Sequence, residues 1–152
     1  MGNMNLITIN ASDYVSPDTI NDNFEKLDVL GLDYVVESGT SGEWWYRKWK
    51  SGRAECGIDD KNFGNMSHNI AWNSLWRTPE QSFGAYPFSF SARPFATISF
   101  NSNSASSLEH YSYIATGSST STTTSPKFFL VDSNNNPITD AHFGIYVCGK
   151  YK

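Results

Sequence analysis

The chain is poor in charge and in cysteine and has no long apolar run, and each shortage excludes a class of protein. Charged side chains make up 17% of the 152 residues and sum to −4, so no general attraction for nucleic-acid phosphates or an anionic membrane surface is expected. No segment approaches the ~20 consecutive apolar residues that a bilayer-crossing helix needs. The opening MGNMNLITIN has no basic stretch followed by an apolar one, so neither an export signal nor an anchor is expected. Gly2 invites myristoylation, but that pattern wants Ser or Thr where Leu6 stands. The two cysteines, Cys56 and Cys148, cannot make a disulfide framework, and their separation fits no pair of metal ligands. Buried free thiols are expected, with no metal and no cofactor.

What the chain does have is aromatic residues, at 15%, beside much Ser, Thr, Asn and Gly. Its length suits one domain with a real core, and the composition is that of an ordered, β-rich chain.

The pattern changes once along the chain. In SPDTINDNFEKLDVLGLD, Ser16 suits an N-cap and Pro17 the first helical position. Asp18 complements the positive helix end and Gly31 can close it, which predicts a helix over Pro17–Leu30. Its apolar residues Ile20, Phe24 and Leu27 form a narrow seam on an otherwise polar helix. A helix of this length is marginal alone, so the seam either docks on its own domain or meets copies of itself in a short coiled coil. The chain is therefore expected to divide into an N-terminal segment, 1–32, and a β-rich head, 33–152.

Strand patterns follow. EWWYRKWKSGRAEC, Glu43 to Cys56, sets three tryptophans and a tyrosine among four basic side chains. It reads as two alternating runs turned at Ser51 and Gly52, a tight hairpin. Trp45, Arg47 and Trp49 fall on one face, and Trp44, Tyr46, Lys48 and Lys50 on the other. Such rings beside Arg and Lys could stack on nucleobases, but the acidic chain and the flanking Glu43 and Glu55 oppose that. The simpler expectation is a strand covered on both faces, with Trp45 and Trp49 against a neighbouring subunit and the basic groups reaching to an edge. GAYPFSF, FATISFN, HYSYIATG, KFFLVDS and HFGIYVCGKY are further candidate strands. SNNNPITD reads as a hairpin connection, and the Ser/Thr run from Ser118 to Ser125 as a loop tip able to carry recognition. The expected fold is mainly β: a short N-terminal α-helix, then an antiparallel β-sandwich or small barrel.

The succession of TINDNFEKLD, YVVESGTSGEWWYRKWKSGRAEC and a strand-rich remainder with glycine in its last run resembles the small tail-fibre and receptor-binding proteins of phages and prophages of Gram-positive bacteria. The likeness is carried most specifically by ESGTSG and WYRKWKSGRAEC and covers about thirty residues directly. Where that family often has Trp and Gly after the cysteine, this chain has Gly57 and Ile58. The resemblance implies a homotrimer bundled on Ile20, Phe24 and Leu27, in a virion tail made in the bacterial cytoplasm. Its partners would be other tail proteins and bacterial surface polysaccharide.

Sugar binding wants exposed rings beside a few polar groups. The candidates are Trp72 and Trp76, aligned by their spacing of four if that segment is helical, with Arg77 adjacent, and Tyr111 and Tyr113 on one strand face beside His110. Core or interface packing is the plainer use of each pair. A purely structural tail or assembly protein, and a glycan-cleaving enzyme with paired carboxylates, stay open as alternatives. Asp59 and Asp60, as strand neighbours, point to opposite faces, whereas Asp140 and His142 could share one. No Gly-x-Ser-x-Gly elbow, His-Glu-x-x-His helix or phosphate loop occurs. DSNNNP begins like a calcium loop but has Pro137 where glycine is required and Phe143 where glutamate should chelate.

Overall fold

The computed structural model describes residues 31–101, 113–116 and 121–152, together with Asp22, Glu25 and Lys26. Those last three are helical and exposed; Ile20, Phe24 and Leu27 lie outside the described residues. From Val35 onward the architecture is mainly β, built of antiparallel strands. They are β1 (Val35–Ser41), β2 (Trp44–Trp49), β3 (Arg53–Asn62), β4 (Ile70–Trp72), β5 (Leu75–Arg77), β6 (Phe95–Phe100), β7 (Tyr113–Thr116), β8 (Phe128–Asp132) and β9 (His142–Lys150). One sheet has the order β1-β2-β3-β9-β6 and the other β4-β5-β8-β7. Among the described residues no helix is long and apolar enough to cross a membrane.

Alternation along the strands determines what is buried. On β3 the side chains of Ala54, Cys56 and Ile58 enter the core, and on β9 those of Phe143, Ile145 and Val147; β8 adds Phe128 and Leu130 from the other sheet. The two sheets meet through rings, since Phe128 lies 4.8 Å from Phe143 between centroids. Phe63 meets Phe83, Phe128 and Phe143 edge-on at 5.3–5.7 Å. Edge-to-face contacts of this kind add to the stabilisation from buried area. Two hydrogen bonds tie Thr78 to Leu130: the Thr78 amide donates to the Leu130 carbonyl, and the Leu130 amide to Thr78 Oγ1.

The hairpin turns at Ser51 and Gly52 as expected, with the Gly52 amide bonded to the Trp49 carbonyl and Gly52 at a φ of +85°. Trp44 is buried, and Tyr46 packs against the core on the same face. Lys48 lies over the rings of Tyr46, Phe88 and Tyr151. Cys56 is buried and Cys148 half-buried, both free.

Three sequence readings need correction. GAYPFSF is not a strand: Pro87 has no amide for a ladder, and the segment is held by an isolated bridge between Ala85 and Thr124 and by bonds from Tyr86 to Thr123, from Phe90 to Thr122 and from Ser125 to Gly84. SNNNPITD is not a hairpin connection, because it leaves β8 in one sheet and enters β9 in the other. Trp72 and Trp76 are not on a helix. They stand in a hairpin in which Trp72 pairs with Leu75 and Ala71 with Trp76, so the two indoles take opposite faces; Asn73, at a φ of +56°, makes the turn. Of the Ser/Thr run, the described residues 121–125 are tied by backbone bonds from Phe90 to Thr122 and from Tyr86 to Thr123, with Thr123 and Thr124 exposed. Ser125 is buried and its Oγ accepts the Phe83 amide.

Candidate functional site

Among the described residues, the outer face of the five-stranded sheet brings rings and polar groups together around a groove. Strand register places Trp45 opposite Gly57, Gly57 opposite Tyr146, and Tyr146 opposite Thr97. A row across four strands thus reads Trp, Gly, Tyr, Thr. The missing side chain at Gly57 lets the indole fold over the strand: a Cβ there would sit 2.7 Å from both the Trp45 ring and the Ile145 carbonyl oxygen. The Trp45 and Tyr146 rings lie 6.2 Å apart and tilted by 40°, forming an aromatic shelf.

Polar groups fix the shelf. Trp45 Nε1 donates to Asp59 Oδ1 at 2.8 Å, which locks the indole. The Tyr146 hydroxyl donates to Glu55 Oε2 at 2.6 Å. That bond to a carboxylate, helped by burial and by the Glu55 charge, holds the phenol well above its ordinary pKa. Arg47 reaches Glu55 at 3.6 Å and lies over the Trp45 ring.

Beyond the shelf lies a groove of about 360 Å³ lined by Trp45, Asp59, Thr97, Ser99, Asn101 and Tyr146, with Ile58 and Ile145 at its base. Its floor exists because residue 144 is glycine. A Cβ there would meet the Asp59 carbonyl oxygen at 2.7 Å, Ser99 Oγ at 2.8 Å and Asn101 Nδ2 at 3.2 Å. Asn101 Nδ2 donates to that carbonyl, and the Asn101 amide to the carbonyl of His142. The groove therefore offers two ring surfaces, two hydroxyls, an amide and a carboxylate within one concavity.

The sequence-derived candidates are dispersed. Trp72 is 41% exposed on the outer face of the four-stranded sheet, edge-on to Phe129 at 5.4 Å, with Arg77 stacked on the same Phe129 at 5.0 Å. Trp76 stands on the opposite face, across from Asp132. Tyr113 lies in β7 opposite Val131, while His110 and Tyr111 fall outside the described residues. Trp45 and Trp49 lie on the outer face, as alternation implies. Sequence reasoning missed Asp59 and Tyr146 as groove residues, along with Thr97, Ser99 and Asn101. The usable signal was a glycine inside each of two strands, which marks close approach.

Of the acid–base pairs, Asp59 is committed to Trp45, and Asp60 to His142 Nδ1 at 2.8 Å. Asp140 Oδ1 lies 3.3 Å from His142 Nε2 and also accepts Asn62 Nδ2. The hydrogen bond that Asp60 accepts does most to raise the pKa of His142; desolvation opposes it, and the Asp60 charge and Asp140 add to the rise. Carboxylates face both imidazole nitrogens, which favours the protonated ring and ties the start of β9 to the end of β3. Among the described residues no grouping of His, Cys, Asp or Glu is arranged to hold a metal ion.

Compared with known proteins, the chain matches no family model, no curated protein and no solved structure.

Proposed function

We propose that this chain is the non-catalytic, glycan-binding head of a tail-fibre or receptor-binding protein of the phage and prophage type, with its sugar site on the outer face of the five-stranded sheet. The observation that carries the reading is the Trp45–Tyr146 shelf beside Asp59, Thr97, Ser99 and Asn101. A pyranose has an apolar face that stacks on rings and a rim of hydroxyls that bond to amides, hydroxyls and carboxylates. The resemblance in ESGTSG and WYRKWKSGRAEC supplies the biological setting: a virion tail, other tail proteins as neighbours, and bacterial surface polysaccharide as receptor. In this proposal the two sheets form the sandwich head, and an N-terminal helix trimerises it through Ile20, Phe24 and Leu27. Trp45 then serves the ligand rather than a subunit contact. The engagement of both His142 nitrogens favours a binding role over a catalytic one for the most enzyme-like cluster.

A structural tail protein of the same fold is the second reading. Phe95 is 64% exposed beside the shelf, and Leu32, Val35 and Val36 are exposed at or beside edge strand β1, which favours cover by a neighbouring chain. Light scattering and a glycan array, run on one preparation, test both. Binding by a species of about three times the 17.0 kDa chain mass supports the first reading. A trimer with a flat array supports the second.

A further inference from the structure

The groove beside Asp59 is not the only hollow on this face. A second, of about 290 Å³, is lined by Asp33, Trp49, Arg53, Glu55, Tyr146 and Cys148, with Ala54 at its base. Tyr146 alone lines both hollows. It is therefore a ridge between them, 38% exposed, and its hydroxyl is anchored to Glu55 so that the ring cannot swing aside freely. The hollows follow one another along β9: Gly144 sits under the first and Cys148 lines the second. Four residues of strand separate those positions by about 13 Å, more than one pyranose ring covers.

The second hollow has its own recognition groups. Asp33 is pinned by Ser51, which donates from both its amide and its hydroxyl, and these bonds, amide first, keep the carboxyl below its usual pKa. Arg53 is exposed and feels that carboxylate. A carboxylate and a guanidinium at one end, with an indole beside them, repeat the ring-plus-polar chemistry of the first hollow. Across β9 from Cys148 stands Phe95, the most exposed large apolar side chain among the described residues. Phe95 is thus one diagonal step from Tyr146, which shares its row with Trp45.

We infer that the ligand of this face is an oligosaccharide of at least two contiguous pyranose rings lying along β9 astride Tyr146, one ring in each hollow. This inference rests on the glycan reading above and narrows it to an extended chain. Two shallow hollows sharing one ridge each bury little of a single sugar, so a monosaccharide gains only half of the available contact. A linked pair gains both halves for one loss of translational freedom.

The test is an array carrying, for each sugar type, the monosaccharide and its linear oligomers up to four units, followed by calorimetry on whatever binds. The expected result is measurable affinity for oligomers, with the matching monosaccharide weaker by at least tenfold. Arg53→Ala, in the second hollow only, lowers oligomer affinity about tenfold, the loss typical of a charged hydrogen-bonding group. A monosaccharide bound as tightly as its oligomers, or oligomer binding indifferent to Arg53→Ala, overturns the two-hollow inference while the glycan reading stands. A flat array at every length overturns both.

Discussion

Gly57→Ala tests the geometry on which the shelf depends. The added methyl would lie 2.7 Å from the Ile145 carbonyl oxygen and from Trp45 Cζ2, and 2.9 Å from Trp45 Cε2. The carbonyl cannot retreat cheaply, because Gly57 pairs with Trp45 on one side and Tyr146 on the other, so moving β3 disturbs two ladders. The indole must therefore yield. Its displacement forfeits the Nε1 bond to Asp59, about 0.5–1.5 kcal/mol, and a ring contact with Tyr146, about 0.5–1.5 kcal/mol. Residual overpacking costs about 1 kcal/mol or more, while the stiffer unfolded chain returns about 0.4–1 kcal/mol. The net expectation is a loss of about 2 kcal/mol, a large share of a typical domain's 5–15 kcal/mol. Urea unfolding gives this directly as a fall in midpoint at unchanged slope, and near-ultraviolet circular dichroism follows the indole. A variant as stable as the parent, with an unchanged indole spectrum, would refute the close approach of Trp45 to this strand.

Three further outcomes are expected. Thr78→Val removes the buried acceptor of the Leu130 amide and should lower stability by about 1–3 kcal/mol in the same urea assay, the cost of a stranded buried donor. His142 has a folded pKa raised above its usual 6.5. Its stabilising effect is therefore full below about pH 6.5 and is lost as pH rises through the raised folded value; the gap in midpoint between the parent and His142→Gln should close over that range, and a pH-independent gap would contradict the cluster. Burial pushes the Cys56 thiol up to about 12, so a thiol reagent should label Cys148 alone in the native chain and both cysteines in urea; labelling of Cys56 in the native chain would contradict its burial.

The sequence foretold the sheet better than the site, for a physical reason. Period-two alternation separates Trp44 from Trp45 and Phe143 from Gly144 without further information, because a strand has two faces and one must be covered. The Ser51–Gly52 turn was equally legible, since Gly52 supplies the positive φ. The Trp72/Trp76 pair was misread because a spacing of four suits a helix, whereas Asn73 and the pairing of Trp72 with Leu75 make a hairpin. The groove was hidden because its members come from β2, β3, β6 and β9 and meet only through register. Tyr146 and Asp59 look like ordinary strand residues until Gly57 and Gly144 are seen to lie under them.

Binding to purified Gram-positive wall polysaccharide, parent against Tyr146→Ala and Trp72→Ala, tests the central claim most directly. The account expects the parent and Trp72→Ala to bind alike, with Tyr146→Ala weaker by at least tenfold as both hollows lose their shared ring. Equal binding by all three, or none by the parent, would contradict it.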